Sequence, residues 1–270
     1  MTERIDGNTL DGVSATTLWT LRNRAEEALR EDAVLEDPWA IALYKSIDYD
    51  YEKFGKASQS HPLRALAVDN AIRDYLTTHP RATIVNLGEG LQTGFWRIDN
   101  PDLAWVSVDL PPVIEARRKL LPREAQVTEY AMSATDRRWM DGVSEGDGVF
   151  ITAEGLFMYL EPDEVWSLLT DMSERFPGGR IIFDSIPQWL SNKSISGLDT
   201  TDRYRMPPMP FSLTVSAIAK IPDRIPSISA VHDVVLPRGR GLWGNPLLWF
   251  VGDLPVLRNH RPSLTLAEFA

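Results

Sequence analysis

Cysteine is absent from the 270 residues. That excludes a disulfide framework, a thiolate zinc site and a cysteine nucleophile, and makes an intracellular, cytoplasmic protein the simplest expectation. Long apolar runs are missing too. No stretch approaches the ~20 residues needed to span a bilayer, and Met1 to Gly12 is polar and acidic, without the apolar core of a signal peptide. A soluble protein with no membrane partner is expected. Basic charge is scarce: 28 Lys and Arg stand against 38 Asp and Glu, a formal net charge of -10. Phosphate contacts need a basic face, so nucleic acid is not expected as a partner. The local clusters Arg22/Arg24, Arg117-Arg118-Lys119, Arg137-Arg138 and Arg238/Arg240 read as solvated helix faces or turns. Histidine is rare. None of His61, His79, His232 and His260 is paired in sequence with an acid that would mark it as a base, and the surface is the expected place for each. No spaced cluster of ligand-type residues suggests a metal.

What is present is an alternation of helix and strand. The apolar spacing from Ser14 to Leu43 is helical, with Ser14 as N-cap of a first helix and Asp37-Pro38 as the start of a second. The aromatic and acidic run Ile47 to Phe54 reads as a loop or short helix on the sheet edge, and Leu63 to Leu76 as an amphipathic helix. Strands are predicted at Thr83–Leu87, Trp105–Val108, Val127–Tyr130, Gly148–Ala153 and Arg180–Asp184, with helices at Pro112–Leu120, Asp136–Gly142 and Glu161–Phe176. Strands separated by helices imply right-handed crossovers and a parallel sheet covered on both faces. Periodicity fails between Ser185 and Pro210, which reads as a long loop. A short helix near Leu213–Ala219 and strands at Ser229–Leu236 and Pro262–Phe269 follow without a crossover helix, which predicts an antiparallel edge. No repeat or linker divides the chain, so residues 1–270 are expected to form one domain.

The run Ile84-Val85-Asn86-Leu87-Gly88-Glu89-Gly90-Leu91-Gln92-Thr93-Gly94 is a buried strand breaking into a glycine turn and then a helix. Backbone without Cβ can turn sharply and approach a ligand closely, and the free N–H groups of the helix point the same way. Asp109 closes the next apolar run, about 20 residues beyond Gly88, where an acid reaches a ribose hydroxyl pair. Its alternative role is to cap the helix at Pro111-Pro112. Glu154 ends the run Gly148 to Ala153 at the carboxyl edge of a central strand, the edge at which such sheets bind ligands. Its alternative is a cap for Leu156–Leu160. Tyr159 either aims its hydroxyl into the same crevice or packs.

Three segments carry a resemblance: Val85-Asn86-Leu87-Gly88-Glu89-Gly90-Leu91-Gln92-Thr93-Gly94-Phe95-Trp96-Arg97, Val108-Asp109-Leu110-Pro111-Pro112-Val113-Ile114, and Ala153-Glu154-Gly155-Leu156-Phe157-Met158-Tyr159-Leu160. Together they resemble the leucine carboxyl methyltransferase superfamily, and within it the tetracenomycin-type polyketide O-methyltransferases. Further likeness at Ser14–Glu27, Ile47–Lys53, Ser133–Met140 and Pro262–Thr265 extends it over nearly the whole chain. The resemblance implies a Rossmann-like sheet of seven mostly parallel strands, with N-terminal helices over residues 1–80 and a lid or substrate insertion over 185–228. It also implies S-adenosylmethionine as methyl donor, leaving S-adenosylhomocysteine. Arg64 matches an arginine that pairs the methionine carboxylate. Gly88 and Gly90 match the turn under the donor, Asp109 and Leu110 the ribose and adenine edge, Ser133 and Ala134 the side of the adenine, and Glu154 the acid facing the methionine amino group. Glu89 and Gln92 depart from the pattern, where relatives carry a small residue or Cys and an Asp. Ser133 stands where many relatives carry Asp.

Methyl transfer from a sulfonium is an in-line displacement, so the protein's part is chiefly orientation. A carboxylate is already ionised at neutral pH and needs no base, whereas a hydroxyl does. The expected reaction is O-methylation of a small carboxylate or hydroxyl acceptor in specialised metabolism. Trp189, Tyr204, Met206, Met209 and Phe211 are candidates for an apolar wall, Arg203 or Arg205 for holding an anionic acceptor, and Arg24 for a basic contact to donor or acceptor. A chain that keeps the fold but binds cofactor or partner without catalysis is the alternative, kept open by Gln92. An NAD-dependent dehydrogenase fits poorly, because Gly88, Gly90 and Gly94 run one residue too long for Gly-x-Gly-x-x-Gly.

Overall fold

A computed structural model describes residues 4–247, 251, 254 and 257–270. Seven strands form the central sheet: β1 (Thr83–Leu87), β2 (Ala104–Asp109), β3 (Val127–Ala131), β4 (Val149–Ala153), β5 (Arg180–Ser185), β6 (Ile228–Asp233) and β7 (Ser263–Phe269). Their order is β6-β7-β5-β4-β1-β2-β3. The pairs β3/β2, β2/β1, β1/β4 and β4/β5 are parallel, and β7 pairs antiparallel with both β5 and β6. This is the parallel sheet with an antiparallel edge that the strand–helix alternation predicts, and the seven-stranded Rossmann-like sheet that the resemblance implies.

Every residue of β1 and β4 is buried. The period-2 alternation of strand side chains divides these apolar runs between two cores. Val85, Leu87, Ile151 and Phe183 face a core closed by Trp139, Val165, Leu169 and Met172, while Ile84, Trp105, Phe150 and Ile182 face one closed by Val68, Ile72 and Tyr75. Helices therefore cover both faces. Strand β1 lies beside β4 where the order reverses direction, and ligand crevices form at such switch points, outside the carboxyl ends of the strands.

The helices before the sheet are α1 (Thr16–Ala28), α2 (Pro38–Ser46) and α3 (Ser60–Thr78). Asp37 caps α2 by accepting from the Ala40 N–H at 2.9 Å, with Pro38 at the first position. Ser14 does not cap α1. The N-cap is Ala15, already helical in conformation, and it makes no side-chain bond. The run Ile47 to Phe54 does contain a short helix, but not on the edge of the central sheet. Ile47–Asp48 pairs parallel with Ile5–Asp6, and the single turn Tyr51–Phe54 packs in an N-terminal core with Leu18, Leu21 and Leu43.

Between the strands lie α4 (Gly94–Ile98), α5 (Pro111–Leu120), α6 (Arg138–Asp141) and α7 (Pro162–Arg175). The segment from Ser185 to Pro210 corrects the sequence reading. It contains α8 (Gln188–Ile195) and a small hairpin, Asp199–Thr201 with Tyr204–Arg205. Its side chains alternate polar and apolar too irregularly to read as either. Order comes from tertiary contacts: the Ser191 hydroxyl donates to the Met209 carbonyl and the Met209 N–H donates to the Ser194 hydroxyl.

Candidate active site

The chain leaves β1 through two left-handed glycines, Gly88 at φ 61° and Gly90 at φ 60°. A Cβ on Gly90 would lie 2.4 Å from the Thr17 hydroxyl, and one on Gly88 would lie 3.0 Å from Leu156. The left-handed backbone disfavours a side chain at both positions, and at Gly90 the Thr17 contact opposes one as well. Thr17 also accepts the Leu91 N–H at 2.6 Å, so α1 clamps the turn. Asp109, the last residue of β2, accepts the Gly90 N–H through Oδ2 at 2.6 Å and the Leu110 N–H through Oδ1 at 2.7 Å. Burial pushes its carboxyl above the usual range, and the two N–H bonds work against that. It does not cap α5, whose N-cap is Leu110 without a side-chain bond. Asp109, Leu110, Ser133 and Ala134 line one end of a cavity of about 600 Å³.

At the carboxyl end of β4, Glu154 meets Arg64 from α3 and Asp184 from β5. Arg64 donates from Nε to Glu154 at 3.0 Å and from Nη1 to Asp184 at 2.6 Å, while the other Asp184 oxygen accepts the Gly155 N–H at 2.6 Å. Burial disfavours the Arg64 cation, but Asp184 and Glu154 overcome it and raise its pKa. Burial raises Glu154, with Arg64 opposing. Glu154 does not cap the turn Phe157–Tyr159, whose N-cap is Leu156. Gln92 donates to Glu154 at 3.3 Å, and its own Oε1 is buried with no hydrogen-bond partner among the described residues. An orphaned amide oxygen beside a carboxylate suits an incoming ammonium group. Asp109 and its glycine cradle likewise suit a ribose. The residues present therefore fit the donor named by the resemblance.

Glu89, between the two glycines, is buried. It pairs with Arg117 of α5 at 3.0 Å and accepts hydrogen bonds from Trp105 at 3.1 Å and from Ser107. Arg117 in turn donates to the carbonyls of Gly90 at 2.9 Å and Gln92 at 2.8 Å. The departure at this position thus anchors the turn from behind. It also corrects the reading of the basic clusters as solvated: Arg22, Arg24 and Arg117 are all buried.

Beyond Glu154 the cavity widens between α1, α8 and the C-terminal strands. Its wall there includes Trp19, Met158, Tyr159, Leu190, Met206 and Met209. Burial raises the Tyr159 phenol to about 12, so at neutral pH it is a hydrogen-bonding group and not a base. Six other candidates do not reach this wall. Arg24 is fully buried behind the turn, donating to Asp37 at 2.6 Å and to the Leu91 carbonyl at 2.6 Å. Arg203 pairs with Asp50 and Arg205 with Asp199, all exposed. Tyr204 packs edge-on against Trp19 and Phe54, behind the wall. Trp189 is 47% exposed, turned outward to donate to the His260 carbonyl, and Phe211 lies in the core against Trp166.

His61 corrects the expectation for the histidines. It lines the cavity from the first turn of α3, with the Trp19 ring edge-on at 5.7 Å and Asn23 at 2.6 Å from Nδ1. Burial, with Arg64 and Arg24 nearby, lowers its pKa to about 3. A histidine that stays neutral when folded but takes a proton when unfolded withdraws stability as pH falls from about 6.5 toward 3, by at most about 1.4 kcal/mol per pH unit. Denaturant unfolding across that range should show a flatter decline for His61→Gln than for wild type. Superimposable slopes would remove the burial account. Asp184 and Thr17 also escaped the sequence reading. Asp184 sits at the carboxyl end of β5, which could have flagged it, whereas nothing local marks Thr17.

Among the described residues no helix is long and apolar enough to cross a membrane, and no group of three or more His, Asp or Glu is placed to hold a metal ion. The family model for leucine carboxyl methyltransferase matches residues 17–173. The tetracenomycin polyketide synthesis O-methyltransferase of Streptomyces glaucescens is 33% identical over 184 residues, covering 67% of this chain and 68% of that protein. A putative S-adenosyl-L-methionine-dependent methyltransferase of Saccharopolyspora erythraea is 28% identical over 273 residues, covering 91% and 88% respectively. Among solved structures, a small RNA methyltransferase, HEN1, superposes with a TM-score of 0.51 at 15% identity over 79% of this chain and 26% of that one, which speaks to the fold alone. The glycine turn after β1 and the acids at the carboxyl ends of β2 and β4, all on one sheet edge, agree with these matches: the chain belongs to the leucine carboxyl methyltransferase family and is an S-adenosylmethionine-dependent methyltransferase.

Proposed function

We propose that the protein methylates an oxygen of a small, largely apolar acceptor, a carboxylate or an acidic hydroxyl, in specialised metabolism, with residues 1–270 acting as one unit and 185–228 covering the acceptor chamber. The carrying observation is the continuity of one cavity from Asp109 and Glu154 to a chamber walled by Trp19, Met158, Met206 and Met209, beside a histidine held neutral. When bound, S-adenosylmethionine supplies an electrophilic methyl group on a sulfonium. Asp109 would accept from the ribose hydroxyls, Leu110, Ser133 and Ala134 would border the adenine, Gly88 and Gly90 would underlie it, and Glu154 with the Gln92 amide oxygen would accept from the ammonium. Arg64 would meet the methionine carboxylate while keeping its two acids aligned. The apolar wall excludes water and holds the acceptor oxygen in line with the methyl, and such orientation supplies roughly 7–11 kcal/mol in favourable cases.

Titration calorimetry with S-adenosylmethionine, followed by donor turnover across aromatic carboxylic acids, phenols and sugars, tests the proposal. Binding with turnover of acids or phenols is expected. Binding without turnover of any acceptor would favour the non-catalytic reading, which the uncharged Gln92 beside Glu154 supports. Because Arg203 and Arg205 point away from the cavity, alanine at either should leave acceptor KM within about twofold, as for other surface changes. A tenfold rise would return them to the site.

A further inference from the structure

His61 stands at the acceptor end of the cavity with a defined hydrogen-bonding polarity. The Ser58 N–H donates to Asn23 Oδ1 at 3.3 Å, which turns the Asn23 Nδ2 toward the ring, 2.6 Å from His61 Nδ1. An amide nitrogen only donates, so Nδ1 must accept and the ring proton sits on Nε2. Among the described residues no hydrogen bond to Nε2 is found. A second ring proton would set two donors against each other at Nδ1, and the cations of Arg24 on α1 and Arg64 on α3 oppose it further. Glu154 and Asp184, the acids that line the same cavity wall as Arg64, are engaged by it. The ring therefore offers one donor to the chamber and takes no proton there.

We propose that His61 is an acceptor-binding hydrogen-bond donor, set in its Nε2–H form by Asn23 as a positioning residue, and that this selects acceptors whose oxygen arrives already ionised. The proposal rests on the methyl-transfer reading above. In the step, the acceptor oxygen forms the O–CH3 bond as the S–CH3 bond breaks and sulfur takes its electron pair. A carboxylate or phenolate has no proton to lose, so no base is needed. For a carboxylate, His61 would hold the oxygen that does not attack. A neutral alcohol would bring a proton that nothing at Nε2 can receive.

The test has two arms. The first reads the ring itself in 15N-histidine-labelled protein: His61 should show Nε2 protonated and Nδ1 bare, unchanged from pH 5 to 8, whereas Asn23→Asp, which places an acceptor at Nδ1, should bring a titration into that range. A proton on Nδ1 in wild type, or a titration there, overturns the proposal whatever the enzyme turns over. The second arm compares benzoic acid, 4-nitrophenol and phenol as acceptors. With benzoate, kcat/KM should stay flat from pH 6 to 9. His61→Ala should raise acceptor KM about tenfold with donor affinity unchanged, and His61→Gln, which still donates, should recover most of it. A kinetic ionisation near 6–7 that vanishes in His61→Gln would make the residue a base and refute the assignment. Donor binding without methylation of any acceptor would instead sink the methyl-transfer reading and the acceptor role with it, leaving the ring's protonation state to the first arm.

Discussion

Asp37→Ala is expected to lower folding stability by about 3–5 kcal/mol, the scale of breaking a buried ion pair from one side. Asp37 is buried with Arg24 at 2.6 Å and Arg97 at 2.9 Å, and both its oxygens accept from the Thr93 hydroxyl, at 2.6 and 2.7 Å. Arg97 has a second acid, Asp69 at 2.7 Å. Arg24 has no other carboxylate within ion-pair distance among the described residues, and burial already pushes its pKa down. Removing Asp37 strands that cation and also uncaps α2, which adds about 1 kcal/mol. Urea unfolding should show the midpoint fall at constant slope. A loss under 1 kcal/mol would mean the network is not what fixes α1 to the turn. Burial opposes the Asp37 charge, but Arg24 and Arg97 outweigh it and hold the carboxyl below the usual range. Its contribution is therefore complete above about pH 4 and is lost as pH falls through the folded value. Because α1 carries Thr17, the same substitution should weaken donor binding, whereas Arg24→Ala should act on stability and not selectively on acceptor KM.

Asp109→Ala should reduce donor affinity about 100-fold, given about 1.5 kcal/mol for each hydrogen bond from a ribose hydroxyl to a charged acceptor. The substitution also releases the Gly90 N–H, so the turn loses its tie to β2. Calorimetry with S-adenosylhomocysteine reads the loss directly, and an affinity within threefold of wild type would detach Asp109 from the donor. The pH dependence has a definite sign. The ionised form binds, and burial raises the Asp109 pKa, so wild-type affinity should decline on acidification sooner than for an ordinary carboxylate. The alanine protein should lack that component. For stability the raised pKa works in reverse, since the buried charge opposes folding above the unfolded value. Asp109→Asn should lose affinity too, and its amide nitrogen, which only donates, would face one of the two N–H groups that Asp109 now accepts.

The donor end was legible because its determinants are local. A buried apolar strand must end in a turn, a turn that approaches a ligand requires glycine, and an acid closing the next strand lies beside it by the geometry of adjacent parallel strands. Gly88, Gly90, Asp109 and Glu154 are marked by those local patterns, and the alternative roles of Asp109 and Glu154 as helix caps fell away only when the cap positions were seen to be Leu110 and Leu156. The acceptor end was legible only in part: Tyr159, Met206 and Met209 do line the cavity. Arg24, Arg203 and Tyr204 have the right chemistry for an acceptor contact but face a buried acid, a surface acid and an aromatic cluster instead. His61 has no acid near it in sequence, and its character comes from Asn23 and from burial.

By itself the sequence determined the parallel sheet, its antiparallel edge, the glycine turn and the acids at the strand ends, because hydrophobic period and backbone conformation act over a few residues. Only the tertiary structure decided which cations are buried, that Ser185–Pro210 contains a helix and a hairpin, that Glu89 braces the turn through Arg117, and that a histidine faces the chamber. Those properties depend on desolvation and on partners brought together from distant parts of the chain, and one-dimensional spacing carries no record of either.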